Sequence, residues 1–326
     1  MRVSLFILVI LLLLFIAVPI GLSVGAADIS VVDIIKTILG NSDNSITRLI
    51  INEIRAPRMI LAFIVGASLA VSGVLFQGVL INPLADSYTI GVSSGSAFGA
   101  AIAILLGVSS SFIPIFALVG ALFTLIAVLM LSKRSGGLEP RNIILSGIIV
   151  GSILSAGLSL IKSISGDSLG ALIFWLLGSF SGRSWGEVYI ITPYFIIGIV
   201  LVYTQIRELD ILMFGREQAL AIGVDVKKSR LIIVLSASLL SAVSVAVSGI
   251  IGFVGLVTPH IVRSVMGASH KRVVPVSIIA GGVSLLWADI LVRSLSSFGE
   301  IPVGVITSII GGPFFFIIML RSKRVD

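Results

Sequence analysis

From Ser87 to Ser132 the chain runs without a single Asp, Glu, Lys or Arg. That is more than twice the roughly 20 apolar residues a helix needs to cross a bilayer, so the run holds two crossings back to back. Six further runs lack charge in the same way: 3–27, 59–85, 142–161, 188–206, 231–262 and 301–320. Charged residues make up 11% of the 326, and mean hydropathy is +1.21; a soluble domain carries about 25% charge. One soluble core cannot bury that much apolar surface. Within lipid each segment must satisfy its own backbone polar groups. The chain is therefore predicted to be an all-α polytopic membrane protein.

Ten spans are predicted, near 5–25, 59–80, 88–107, 112–131, 142–161, 188–206, 231–249, 255–268, 273–292 and 303–320. The longest run breaks near Gly107–Pro114, where Ser and Pro cluster, and the run 231–262 breaks after Gly249. Span eight is then short and carries Pro259. Ser168–Gly182 is uncharged but short and Gly-rich, and it reads as a partial helix outside the membrane. Ten spans put both termini on one side. Fifteen of the 22 Lys and Arg fall on that side and seven on the other, which places both termini in the cytoplasm. The net charge of +7 thus follows from topology, with no soluble basic domain to hold a nucleic acid. Arg2, the apolar stretch and Gly25-Ala26-Ala27 imitate a cleavable signal. However, the stretch exceeds a usual signal core and its loss would spoil the charge bias, so it is read as span one. The chain has no cysteine, which excludes disulfides, thiolate catalysis and Cys-ligated metal.

A shift of 176 residues aligns Ala70-Val71-Ser72-Gly73 with Ala246-Val247-Ser248-Gly249, Pro83 with Pro259 and Gly91 with Gly267. The first copy begins on a span running inward and the second on one running outward. Spans 2–5 and 7–10 are therefore expected to form an inverted repeat, a common transporter architecture; shared low-complexity bias is the plainer alternative. Gly91, Gly95 and Gly99 recur every four residues, as do Gly147 and Gly151. In lipid, small residues let helix backbones touch, so these faces read as packing surfaces.

Ionisable residues within spans are costly and point to function. The main case is Asp289 with Arg293 one turn later, which reads as a helical ion pair near the outer end of span nine. His260, beside Pro259, reads as a structural hydrogen-bonding residue. So few buried carboxylates argue against an ion-coupled carrier, although sodium sites built from backbone carbonyls stay open. A membrane-embedded enzyme would need a His, Asp and Glu constellation that is absent from the spans. No phosphate-binding Gly-x-x-x-x-Gly-Lys-Ser/Thr loop occurs, so any ATPase must be a partner. The longest polar stretch on the cytoplasmic side, 207–230, carries a helical turn at Glu217–Ile222 stopped by Gly223, and suits docking by a soluble protein. On the outside, the loop 26–58 ends in Arg55-Ala-Pro-Arg58. Two arginines three apart suit capture of a partner's carboxylate, with Arg293 as a third cation; snorkelling interfacial arginines are the alternative.

Several segments together carry a resemblance. They are Arg55-Ala-Pro-Arg58 running into Gly66-Ala-Ser-Leu-Ala-Val-Ser-Gly73; Gln77 and Asn82-Pro-Leu-Ala-Asp86; Gly91-Val-Ser-Ser-Gly95; and Glu217-Gln-Ala-Leu-Ala-Ile-Gly-Val224. Nearer the C-terminus come Gly252-Phe-Val-Gly-Leu-Val-Thr-Pro-His260-Ile-Val-Arg263, Trp287-Ala-Asp289, Glu300-Ile-Pro-Val-Gly304 and Gly311-Gly-Pro-Phe314. From residue 55 onward the chain resembles the iron–siderophore and cobalamin (FecCD-type) permeases of ABC importers. Ser87, where relatives often carry proline, and Gly312, often alanine, depart from the pattern.

The resemblance implies a single transmembrane permease domain of type II importer fold over 1–326, in a bacterial or archaeal cytoplasmic membrane. It implies cargo such as an iron(III)–siderophore, with haem or cobalamin as alternatives. Implied partners are two ABC ATPase subunits carrying ATP and Mg, an extracytoplasmic substrate-binding protein, and a second permease, identical or related. No cofactor on this chain and no enzymatic activity of its own are implied. Arg55, Arg58 and Arg293 match the positions that engage the binding protein. Arg216, Glu217, Ala221, Gly223 and Val224 match the ATPase coupling segment. Asn82, Leu84, Arg141 and Leu145 match the cytoplasmic gate.

Overall fold

The computed structural model describes residues 2–25, 27, 29–40, 44–295 and 300–322. Ala26 of the outer loop and the basic Lys323 and Arg324 lie outside the described residues. The helices are α1 (Arg2–Ser23), α2 (Val31–Ile38), α3 (Ser45–Leu49), α4 (Ala56–Val79), α5 (Val92–Leu105), α6 (Ile113–Arg134), α7 (Pro140–Ile164), α8 (Leu169–Leu176), α9 (Trp185–Leu212), α10 (Arg216–Ala221), α11 (Val226–Ser248), α12 (Val254–Met266), α13 (His270–Ser294) and α14 (Val303–Ser322), with a π-helical turn Ile50–Arg55 leading into α4. Each of the ten predicted spans falls on a helix: α1, α4, α5, α6, α7, α9, α11, α12, α13 and α14. Among the described residues seven helices are long and apolar enough to cross a membrane, while α5, α12 and α14 are shorter apolar helices.

Two apolar clusters divide the bundle into two halves, called inner and outer after the orientation the charge bias predicts. One joins Val71–Leu80 of α4 and the turn after it to Val226–Ala242 of α11, Val202–Leu212 of α9 and Val273–Val274 of α13. The other joins Met59–Ala70 of α4 to Val243–Val247 of α11, Val188–Ile191 of α9 and Leu285–Val292 of α13. The start of α4 therefore meets the end of α11, so these two nearly fully buried helices run antiparallel. Each is followed by a short helix and two longer ones: α4, α5, α6, α7 against α11, α12, α13, α14. This order carries the inverted repeat. The 176-residue offset does not give its register, because Gly73 lies inside α4 while Gly249 ends α11, and the turn 80–91 falls opposite α12.

Bare backbone makes the tightest contacts. A Cβ on Gly73 would stand 1.8 Å from the Gly255 carbonyl oxygen, and one on Gly66 2.3 Å from that of Gly281. These contacts bring α12 and α13 against α4. A Cβ on Gly95 would reach the Thr124 hydroxyl at 2.1 Å, and one on Gly99 the Phe116 carbonyl at 2.2 Å. The glycine face of α5 is thus a packing surface against α6, as its spacing predicts. Phe253, before α12, adopts φ 67°, a left-handed conformation that is costly for a bulky residue. Its ring rests where a Cβ on Gly311 would lie, 2.4 Å from its own Cβ.

The short helix α8, expected outside the membrane, packs by Trp175 against Ala100, Ala117, Val245 and Ala246 and by Leu172 against Ala101 and Ile161, while Gly170, Ala171 and Ile173 stay exposed. A segment as apolar as Leu169–Leu176 gains by burial, and eight residues fit a half-depth insertion.

Candidate functional site

At the outer end, α4 and α13 pack along their lengths and bring together charges far apart in sequence. Asp289 is fully buried and accepts a fork from Arg58, with Nη2 at 2.7 Å and Nε at 2.9 Å from one oxygen. Arg293, one turn later, lies at 3.1 Å from the other oxygen. The predicted Asp289–Arg293 pair is present, and Arg58 joins it. Arg293 also donates to the carbonyls of Gly21 at 2.7 Å and Val24 at 3.2 Å. Arg55 is buried and donates to the carbonyls of Leu22 (2.5 Å), Ser23 (2.8 Å) and Ala27. Two arginines therefore cap the exposed C-terminal carbonyls of α1, where positive charge suits the helix dipole.

In the single chain the arginines do not stand as a fork on the surface. Arg58 turns to a carboxylate of its own chain, and Arg55 and Arg293 are largely withdrawn from solvent because the last turn of α1 needs donors. Among the described residues, the three guanidiniums outnumber the carboxylates of Asp289 and Glu300 at this end. The arginines line an open cavity of about 540 Å³ with Ile54, Ser181 and Glu300, whose carboxylate accepts from the Ser181 hydroxyl at 2.8 Å.

At the inner end, α10 projects between α9 and α11. Its C-terminus is set by Gly223 at φ 87°, in keeping with the stop expected there. Ala219 is buried and anchors it, while Phe214, Leu220 and Ile222 are exposed. Glu217, Ala221 and Gly223 are also exposed, and Val224 is half-buried. Arg216 pairs with Glu139 at 2.8 Å, and Glu139 also takes Arg230 of α11 at 2.5 Å. Neither Glu139 nor Arg230 was singled out by sequence; the only available signal was a carboxylate immediately before Pro140 at a helix start.

Of the expected gate residues, Arg141 and Leu145 share an exposed face of α7, Leu84 is exposed and Asn82 is half-buried. Asn82 accepts from the Leu84 amide at 2.9 Å, which shapes the turn after α4. Asp86 in the same turn accepts from Tyr88 and Thr89; burial raises its carboxyl above the ordinary range, against the lowering effect of those hydrogen bonds. His260 makes no hydrogen bond among the described residues. The hydrogen-bonding histidine is His270, fully buried at the start of α13, whose Nδ1 lies 2.5 Å from Asp210 at the end of α9. Gln77 and Arg263 tie α4 to α12: Gln77 donates to the Gly255 carbonyl at 3.2 Å and accepts from Arg263, which also donates to Val74 at 3.1 Å. Among the described residues no three His, Asp or Glu cluster as metal ligands.

Comparison with known proteins matches residues 10–321 to the FecCD transport family. The Fe(3+)-citrate import system permease protein YfmD of Bacillus subtilis is 38% identical, over 99% of this chain and 96% of its own. The cobalamin import system permease protein BtuC of Halobacterium salinarum is 38% identical, over 85% and 75%. A solved structure described as an inward-facing conformation of a metal-chelate type ABC transporter superposes with a TM-score of 0.87 at 34% identity, covering 98% of this chain and 99% of that one.

Proposed function

This chain belongs to the FecCD transport family, and on that premise we propose that it carries an iron(III)–siderophore or similar bulky chelate inward through the cytoplasmic membrane. It is the permease of an ABC importer for metal chelates, and such permeases leave ATP hydrolysis to partner subunits. Two ATPases, an extracytoplasmic binding protein and a second permease complete the assembly, with both termini of this chain on the ATPase side.

One observation carries the reading. The segment around α10 exposes Phe214, Leu220 and Ile222 beyond the spanning helices, next to charged Arg216 and Glu217. Apolar side chains outside the lipid, on a helix anchored by one buried alanine, form a docking knob for a soluble partner. The gate is assigned to Asn82, Leu84, Arg141 and Leu145; the exposure of the last three in the single chain suits a passage formed with the second permease. At the other end, the positive cavity around Arg58 suits an acidic side chain of the binding protein, with Arg55 and Arg293 supplying field from beneath.

The test is uptake by the complex reconstituted in liposomes with its ATPase and binding protein, using ferric siderophore, ferric citrate, haem and cobalamin. ATP-dependent uptake of a ferric chelate is expected. Uptake by the permease alone under an ion gradient would refute the reading.

A further inference from the structure

Glu139 is placed as if to cap its own helix, α7, yet its side chain makes no cap hydrogen bond. Its carboxylate spans two other elements. On one side Arg230 of α11 reaches it at 2.5 Å and also donates to the neighbouring Leu138 carbonyl at 3.1 Å. The Arg230 side chain is 5% exposed, so this arm is anchored in the bundle on the arginine side, while the Glu139 side chain is 33% exposed. On the other side Arg216, the first residue of α10, reaches the second carboxylate oxygen at 2.8 Å with its side chain 53% exposed. One arm is fixed in the bundle; the other hangs on the docking helix.

The asymmetry matters energetically. Breaking a buried charge pair strands a charge, whereas an exposed pair exchanges readily with water. A shift of α10 would therefore change the Arg216 arm first and leave the Arg230 anchor in place. What the Arg216 arm pulls on is the entry of α7, and Arg141 and Leu145 lie within the next two turns on its exposed face. α10 packs against α9 and α11, and this ion pair is its charged link to α7.

We propose that Glu139 is a positioning residue that relays movement of α10 to α7, with Arg230 as its pivot and Arg216 as the switched arm. This inference rests on the importer reading, because it takes α10 as the surface an ATPase moves. The coupling lives in a bistable contact between packed elements, which is how a local displacement becomes a helix movement.

Arg216→Gln is the discriminating variant, since it leaves Glu139 paired with Arg230 and the bundle intact. Capture of the ATPase and ATP hydrolysis are read in Glu139→Gln, which breaks the same link from outside the docking segment and keeps an oxygen for Arg230, and both are expected to persist in the full complex. Cargo moved per ATP should fall by about fivefold or more, the lower end of ordinary coupling between sites, and Arg216→Lys should restore part of it. The chain has no cysteine, so Ile148→Cys, exposed on the Arg141 face of α7, gives a single reporter. Its reaction with a soluble maleimide should depend on an ATP analogue in the parent and lose that dependence in Arg216→Gln. Unchanged cargo per ATP in both variants, or loss of ATPase capture by Glu139→Gln, would overturn the relay and leave the importer reading standing. Failure of the parent complex to import with ATP would overturn the importer reading, and the relay with it.

Discussion

Replacing Asp289 by Asn tests whether charge, rather than shape, holds the outer end together. The asparagine keeps nearly the same volume and one carbonyl oxygen for Arg58. It removes the carboxylate that pairs with both Arg58 and Arg293, the latter almost sealed from solvent. Losing one partner of a buried ion pair costs about 3–5 kcal/mol, because the remaining charge is left uncompensated. Arg58→Gln removes the more exposed partner, 15% accessible, and leaves Asp289 facing Arg293. Hydrogen bonds to charged groups are worth about 1.5–3 kcal/mol, so that loss should lie near the lower end, about 2 kcal/mol. The expected order is thus Asp289→Asn well below Arg58→Gln, and both below the parent. Thermal unfolding of the purified chain in detergent reads this order directly. Repeating it between about 0.1 and 1 M salt should leave the gap unchanged, since buried pairs are poorly screened. An Asp289→Asn protein as stable as the parent, or more stable than Arg58→Gln, would refute the argument.

Other outcomes follow from the packing and the docking surface. Gly73→Ala should lower the unfolding temperature by an amount matching at least about 1–3 kcal/mol, since the new methyl meets backbone that cannot rotate away; Gly170→Ala, with open space around it, should be neutral or slightly stabilising in the same assay. Phe214→Asp combined with Ile222→Asp should abolish co-purification of the ATPase while leaving thermal stability of the permease within error, because both side chains are mostly exposed. Gln77→Leu removes an acceptor from Arg263 and a donor to the Gly255 carbonyl, and should cost about 1–3 kcal/mol of stability by thermal unfolding.

Much of this molecule was legible because lipid imposes simple rules on sequence. Run length located all ten spans, the four-residue glycine spacing identified the α5 face that meets α6, and Gly249 marked the end of α11. The Asp289–Arg293 pair was readable because it is local, one turn along a helix. The pairing of Arg58 with Asp289 was not legible because the two lie 231 residues apart, and helical periodicity says nothing about which helix will be a neighbour. The same gap separates His260, adjacent to a conspicuous proline, from His270, whose role depends on Asp210 some 60 residues earlier. Counting basic residues by side gives topology but not pairing, so Arg216 and Arg230 were tallied without sight of Glu139. Apolar character located α8, but nothing in its sequence told which neighbours Leu172 and Trp175 would pack against.

The arginine caps on α1 also set an order of events during biosynthesis. The carbonyls of Leu22 and Ser23 wait only for Arg55, 33 and 32 residues later. Those of Gly21 and Val24 wait for Arg293, 272 and 269 residues later. At ordinary elongation rates of about 5–20 residues per second, that second clasp arrives roughly 15 to 50 s after α1 has been made. During that interval the arginine clasp on α1 is half made, and it closes only once Arg293 of α13 has left the ribosome.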